Sequence, residues 1–243
     1  MNEQNKAFTL IELSIVLIII GLIIGGILAG QEIIKQAAIR GLIKDLNGIQ
    51  TSVNTFKIKY NFLPGDFPNA GAIWTSSTCP VGVTSSGCNG NGNWQIDNDG
   101  YRSGSEMYRF WQHLNLARLM SGNYIGTLSS ASIFQSNYSN NTFIGARYTT
   151  SYGSLNNNYF EIGGWSSDST VPNKGAFTPI DAYAIDLKID DGIANSGKLF
   201  GSDADSVPST GACSYIYTSS TGIPLYNTTG AQGNYCRLQK VIE

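Results

Sequence analysis

From Phe8 to Gly30 the chain is almost unbroken apolar sequence, and from Ile39 to Tyr60 the pattern changes to one apolar position every third or fourth residue. No charge occurs between Leu13 and Gly30. At about 1.5 Å per residue, Phe8–Gly30 is long enough to cross a bilayer as a helix. In the second stretch Ile39, Leu42, Leu46, Ile49, Val53, Phe56 and Tyr60 are separated by alternating steps of three and four. Those steps place them on one helical stripe, with Arg40, Lys44, Asn47 and Asn54 elsewhere on the surface. No proline precedes Pro64, so the pattern predicts one helix continuing from the apolar half (8–30) through an amphipathic half (31–60). The stripe lasts little more than three heptads, too short a run to favour a coiled coil.

Asn61-Phe-Leu-Pro64-Gly65-Asp66-Phe-Pro68 is a helix stop and turn. Residues 61–243 follow as a head. Met107, Phe110, Trp111 and Leu114 predict a second amphipathic helix from about Ser105 to Ser121, ended by Gly122. Further on, short apolar and aromatic runs alternate with turns. The predicted strands are Thr142–Tyr148, Tyr159–Trp165, Ala182–Ile189, Cys213–Tyr217 and Tyr235–Ile242. The fold class is therefore α+β: a long N-terminal helix packed on an antiparallel β-sheet head.

Composition narrows the function. Charged residues are only 13% of the chain and the net charge is -2, so nothing directs it to nucleic acid. Ser, Thr, Asn, Gly and Tyr fill the head, as in secreted β-rich surfaces. Cysteines fall as Cys79 with Cys88 and Cys213 with Cys236. Four cysteines allow three connectivities, and loop-closure entropy favours pairing of near neighbours. Four buried thiols are the alternative. A zinc site is disfavoured by the spacing and by a single histidine, His113. No phosphate loop, dinucleotide fingerprint, zinc-protease motif or nucleophile elbow occurs, and the expectation is a protein that is not an enzyme.

One residue does not fit a plain anchor. Glu12 lies inside the apolar run, where a carboxylate is costly and calls for a partner. The segment Ala7-Phe8-Thr9-Leu10-Ile11-Glu12-Leu13, followed by a long apolar run, resembles the prepilin signal of type IV pilins and type II secretion pseudopilins. The resemblance implies residues 1–7 as a leader, cut between Ala7 and Phe8 by a prepilin peptidase. It implies N-methylation of Phe8 and pairing of Glu12 with the N-terminal amine of a neighbouring subunit. Ala7 stands where the family usually has glycine. The implied partners are other pilin-like subunits in a homo- or hetero-oligomeric filament, an inner-membrane assembly platform, and membrane lipid before assembly. The implied location is the bacterial inner membrane, single pass with the head in the periplasm, then a periplasmic fibre or surface pilus. Lys35, Arg40 and Lys44 after the span would by themselves place the head in the cytoplasm; the cysteine pairs, the head composition and the resemblance outweigh that count. Cys213/Cys236 resembles the disulfide-closed surface region of pilins. The alternatives are a tip-located minor pilin acting as adhesin or cargo-binding module, and a tethered enzyme or receptor.

Two acidic stretches remain. Gln95, Asp97, Asp99, Ser103 and Glu106 match the oxygen-ligand spacing of a calcium loop, with Gly100 at the sixth place. Gln95 replaces the usual Asp, and Arg102 an apolar residue. The competing reading is an Asn/Asp/Gly turn before a helix N-cap. No other cofactor is expected. Asp186 to Gly192 reads as a strand running into a turn, with no ligand role indicated by the sequence.

Overall fold

The structure, a computed structural model, describes residues 9–74, 88–98, 104–149, 156–165, 171–205, 211–216, 224–230 and 233–243. The chain divides into two compact units, Met1–Arg40 and Gly41–Glu243. Helix α1, Leu10–Tyr60, contributes to both.

In the first unit, Leu10, Leu22, Ile33 and Ile34 are each at least 70% exposed. A surface this apolar is stable in lipid or against other helices, not in water. An added Cβ at Gly21, Gly25, Gly26 or Gly30 meets nothing within 4 Å. These glycines are open notches at the i, i+4 spacing that lets membrane helices approach closely.

In the second unit the α1 stripe turns inward. Leu42, Leu46, Val53 and Phe56 have no exposed surface and Ile49 only 2%. The C-terminal end of the chain is tied to the same helix beside that stripe: the Gln50 side chain donates to the Glu243 carbonyl at 2.8 Å and accepts its N–H at 3.3 Å.

After the turn at residues 61–69 and a short helix α2, Ala70–Ile73, helix α3 spans Glu106–Leu116. It ends earlier than its apolar pattern suggested. Arg118 takes φ 60°, and the Leu119 and Arg118 amides donate to the Leu114 and Asn115 carbonyls at 2.9 Å each. That double bond pattern is a Schellman cap built on arginine in place of glycine, so the sequence signal for the helix end sits four residues too late, at Gly122.

A five-stranded antiparallel sheet forms the body of the head, in the order β1-β2-β3-β7-β4. Its strands are β1 Phe134–Gln135, β2 Phe143–Thr149, β3 Asn157–Gly163, β4 Leu199–Asp203 and β7 Cys236–Val241. Ile144 faces Ile162, and Ile162 faces Leu238; all are fully buried. Strands β5 Ser214–Ile216 and β6 Pro224–Tyr226 form a separate ribbon. The Cys213–Cys236 disulfide links the ribbon to β7.

The expected strand Ala182–Ile189 is instead part of helix α4, Pro179–Ile189. The Thr178 hydroxyl accepts the Asp181 amide at 3.2 Å as N-cap, and Pro179 follows at the first helical position. Ala182, Ile185 and Asp186 are buried on one face, a helical spacing of three and four. The start signal Thr-Pro-x-Asp decides the element; alternation in Ala182–Lys188 was the misleading part.

Candidate functional site: the N-terminal segment and the polar turns of the head

Ala7 and Phe8 lie outside the described residues. Glu12 is described, and its carboxylate folds back on the helix start. Oε2 accepts the Thr9 amide at 2.8 Å and the Thr9 hydroxyl at 2.9 Å, and that hydroxyl accepts the Glu12 amide at 3.2 Å. Thr9-x-x-Glu12 is thus a capping box. Both donated bonds fall on one oxygen; among the described residues none donates to Oε1, and the side chain is exposed.

In the head, the turn after α1 organises a polar cluster. The Asp66 carboxylate accepts the amides of Gly92, Asn93 and Trp94 at 2.6, 3.0 and 2.7 Å. Glu106, at the start of α3, accepts the amides of Asn91 at 2.7 Å and Asp97 at 3.0 Å. The Asp97 carboxylate accepts the side-chain amides of Asn91 and Asn93 at 2.7 and 3.0 Å. Gln95 donates its amide to the Asn93 side chain at 2.8 Å. Asp99 and Ser103 lie outside the described residues. The described members of the 95–106 set therefore direct their carboxylates at N–H donors. Burial is the main reason the Glu106 carboxyl is pushed up to about 7, against the two amides that pull it down.

His113 has no exposed surface. Its Nδ1 accepts the Gly65 amide at 2.9 Å, so Nε2 carries the proton and donates to the Cys88 carbonyl at 2.8 Å. Burial, with Arg109 adding a smaller repulsion, holds it neutral, down to about 4. Its ring lies parallel to Phe56 at 6.1 Å. It is a structural joint between the turn, α3 and the buried stripe. Gly65 has φ +88°, and an added Cβ would fall on the Glu106 carbonyl.

Cys88 is disulfide-bonded and buried; Cys79 lies outside the described residues. Sequence reasoning treated residues 61–68 as a plain turn and missed Asp66. The available signal was an Asp beside a Pro-Gly turn together with an Asn/Gly-rich stretch lacking apolar residues of its own. Such backbone needs an acceptor from elsewhere.

Residues 4–28 match the prokaryotic N-terminal methylation motif, the signal of type IV pilins and pseudopilins. No curated protein and no solved structure matches the chain. The match falls on the one helix of the described residues that is long and apolar enough to cross a membrane. Motif and helix together fit a membrane-anchored structural subunit of the pilin-like class.

Proposed function

We propose that this chain is a filament subunit of a type IV pilus-like or type II secretion fibre. A prepilin peptidase cuts it between Ala7 and Phe8 and methylates Phe8. The apolar half of α1 then leaves the bilayer and packs against the same segment of neighbouring subunits, with the heads forming the filament surface. The observation that carries this reading is the methylation motif over residues 4–28. The exposed apolar surface of Leu10–Ile34 supports it, because it needs lipid or other helices around it. The Glu12 Oε1 atom, to which none of the described residues donates, supports it too. An acid already oriented by Thr9 loses little freedom when it pairs with a neighbour's terminal amine.

The test is the mass of the N-terminal peptide of the protein from its native host. A terminus at N-methylated Phe8 is expected. An intact Met1 leader on filament-located protein would overturn the reading.

A further inference from the structure

We propose that the solvent face of α4 is a contact between subunits: it docks on the outer face of α1 of a second copy of this chain, between Lys44 and Lys59. The inference rests on the filament reading above and names two head surfaces that meet in it.

Helix α4 buries one face and leaves the other apolar. Ala182 and Ile185 have no exposed surface, whereas Ile180, Tyr183 and Leu187 are exposed. With half-exposed Ala184 between them, these residues follow at steps of three and four and so form one stripe. A contiguous apolar stripe in a water-facing head marks a surface that another molecule covers.

The outer face of α1 has the complementary shape. On the side away from its buried stripe, Gly48, Thr51, Thr55 and Ile58 also follow at steps of three and four, and all are exposed. An added Cβ at Gly48 meets nothing within 4 Å. The Thr51 and Thr55 hydroxyls donate to the Asn47 and Thr51 carbonyls at 2.8 Å each. Their donors are satisfied inside the helix, so covering them strands none. Ile58, 86% exposed, closes the stripe. Small residues leave a shallow groove, and the ridges of a facing helix pack into such grooves. The larger side chains of α4 supply the ridge.

Charge decides which surface meets which. The fully exposed charged residues on this part of α1 are Lys44 and Lys59, while Asp45 is engaged by the Ser136 hydroxyl at 2.9 Å. Helix α4 exposes Lys188 but runs into Asp190 and Asp191, at a helix end whose dipole is negative. A basic-ended groove and an acid-ended ridge attract each other and disfavour the like pairings, α1 with α1 and α4 with α4. A contact between two different surfaces does not close on itself as a two-fold dimer does. It can repeat from copy to copy along an open helix.

The experiment uses the full-length protein in its native host. Ile58→Asp and Leu187→Asp each place a charge in one of the two surfaces. Both positions are exposed, so the detergent-solubilised variants should melt as the parent does, while the yield of sheared filaments should fall at least about tenfold. In a second arm, chains carrying Thr51→Cys are co-expressed with chains carrying Ala184→Cys, and filaments are treated with a short bismaleimide. A dimer of this chain is expected only when both variants are present. Parental filament yield from both Asp variants, in protein whose Phe8 is methylated, would overturn this contact and leave the filament reading standing. So would filaments without the cross-link, or a cross-link from Ala184→Cys only to a protein of another mass. A parent chain neither methylated at Phe8 nor assembled would overturn both.

Discussion

Thr9 and Glu12 close a reciprocal cap on α1: the Thr9 amide donates to Glu12 Oε2 at 2.8 Å, and the Glu12 amide donates to Thr9 Oγ1 at 3.2 Å. The residue assigned to intersubunit pairing therefore also starts the helix, and the two roles can be separated. Glu12→Ala removes both. It should leave membrane insertion intact, because the apolar run is untouched, and abolish incorporation into filaments. Thr9→Ala removes only the cap, worth about 1 kcal/mol, and should lower the yield without abolishing it. Fractionation followed by quantification of sheared filaments checks both, and a normal yield from Glu12→Ala would refute the assembly role.

The long helix was legible because two different periodicities, continuous apolar and then three-four, are written into consecutive stretches. Strands β2, β3 and β7 were legible from apolar runs between turns, and α4 was misread because its short alternating run competes with a cap at Thr178. The polar chemistry was not legible. Asp66 and Trp94 are 28 residues apart, and Glu106 meets Asn91 across 15. Such bonds depend on tertiary approach, which residue spacing does not encode. The carboxylates of Asp186, Asp190 and Asp191, which lie within 4.8 Å of one another, were hidden by the same misread element: in a strand Asp190 shares the face of Asp186 while Asp191 points to the other, whereas at a helix end all three converge.

Two groups on α3 give the head opposing responses to pH. Burial depresses His113 from 6.5 to about 4. Between those values the unfolded chain takes up a proton that the fold refuses, so stability falls as pH falls from about 6.5 to 4. Burial raises Glu106 from 4.5 to about 7. There the fold holds the proton more tightly, so stability rises as pH falls from about 7 to 4.5. The two slopes are opposite and overlap almost completely. Glu106→Gln removes one of them, so relative to the parent it should lose stability on acidification from pH 6.5 to 4.5. The extra slope approaches about 1.4 kcal/mol per pH unit. Chemical denaturation at several pH values measures this, and parallel curves for parent and variant would contradict it.

Glu161 gathers the charge of three strands. On β3 it lies opposite Gly145 of β2 and Gln239 of β7. Arg147 Nε stands 2.7 Å and Arg237 Nη1 3.4 Å from its carboxylate, which is only 1% exposed. Glu161→Gln keeps the shape and removes the charge, leaving two largely buried guanidinium groups without it. A loss of roughly 3 kcal/mol is expected. Urea unfolding would show it as a lowered midpoint with the slope preserved. A change below 0.5 kcal/mol, the ordinary scatter of surface substitutions, would mean that the strands hold their register without this charge.

Asp66 should matter more for order in residues 91–95 than for the sheet. Its Oδ1 accepts the Gly92 and Asn93 amides, and its Oδ2 the Trp94 amide. Trp94 needs that bond because it holds φ 65°, a left-handed conformation that costs a residue with a Cβ about 1–2 kcal/mol. Its ring stacks on Phe62 at 5.8 Å and is otherwise 46% exposed, so packing alone fixes it weakly. Asp66→Ala removes the carboxylate from all three amides, but the Gly92 amide keeps the Asp66 backbone carbonyl at 3.1 Å and the Asn93 amide keeps the Asn91 side chain at 3.0 Å, so the Trp94 amide should lose the most protection from hydrogen exchange while β2 and β3 keep theirs. Asp66→Asn retains one oxygen. If that oxygen takes the Oδ1 place, the Gly92 and Asn93 amides stay protected and the Trp94 amide is released, so the exchange pattern reads out which bonds the carboxylate supplies. Unchanged protection in Asp66→Ala would show that the turn is held by its own asparagines, whose side chains already bond Asp97 and the neighbouring backbone.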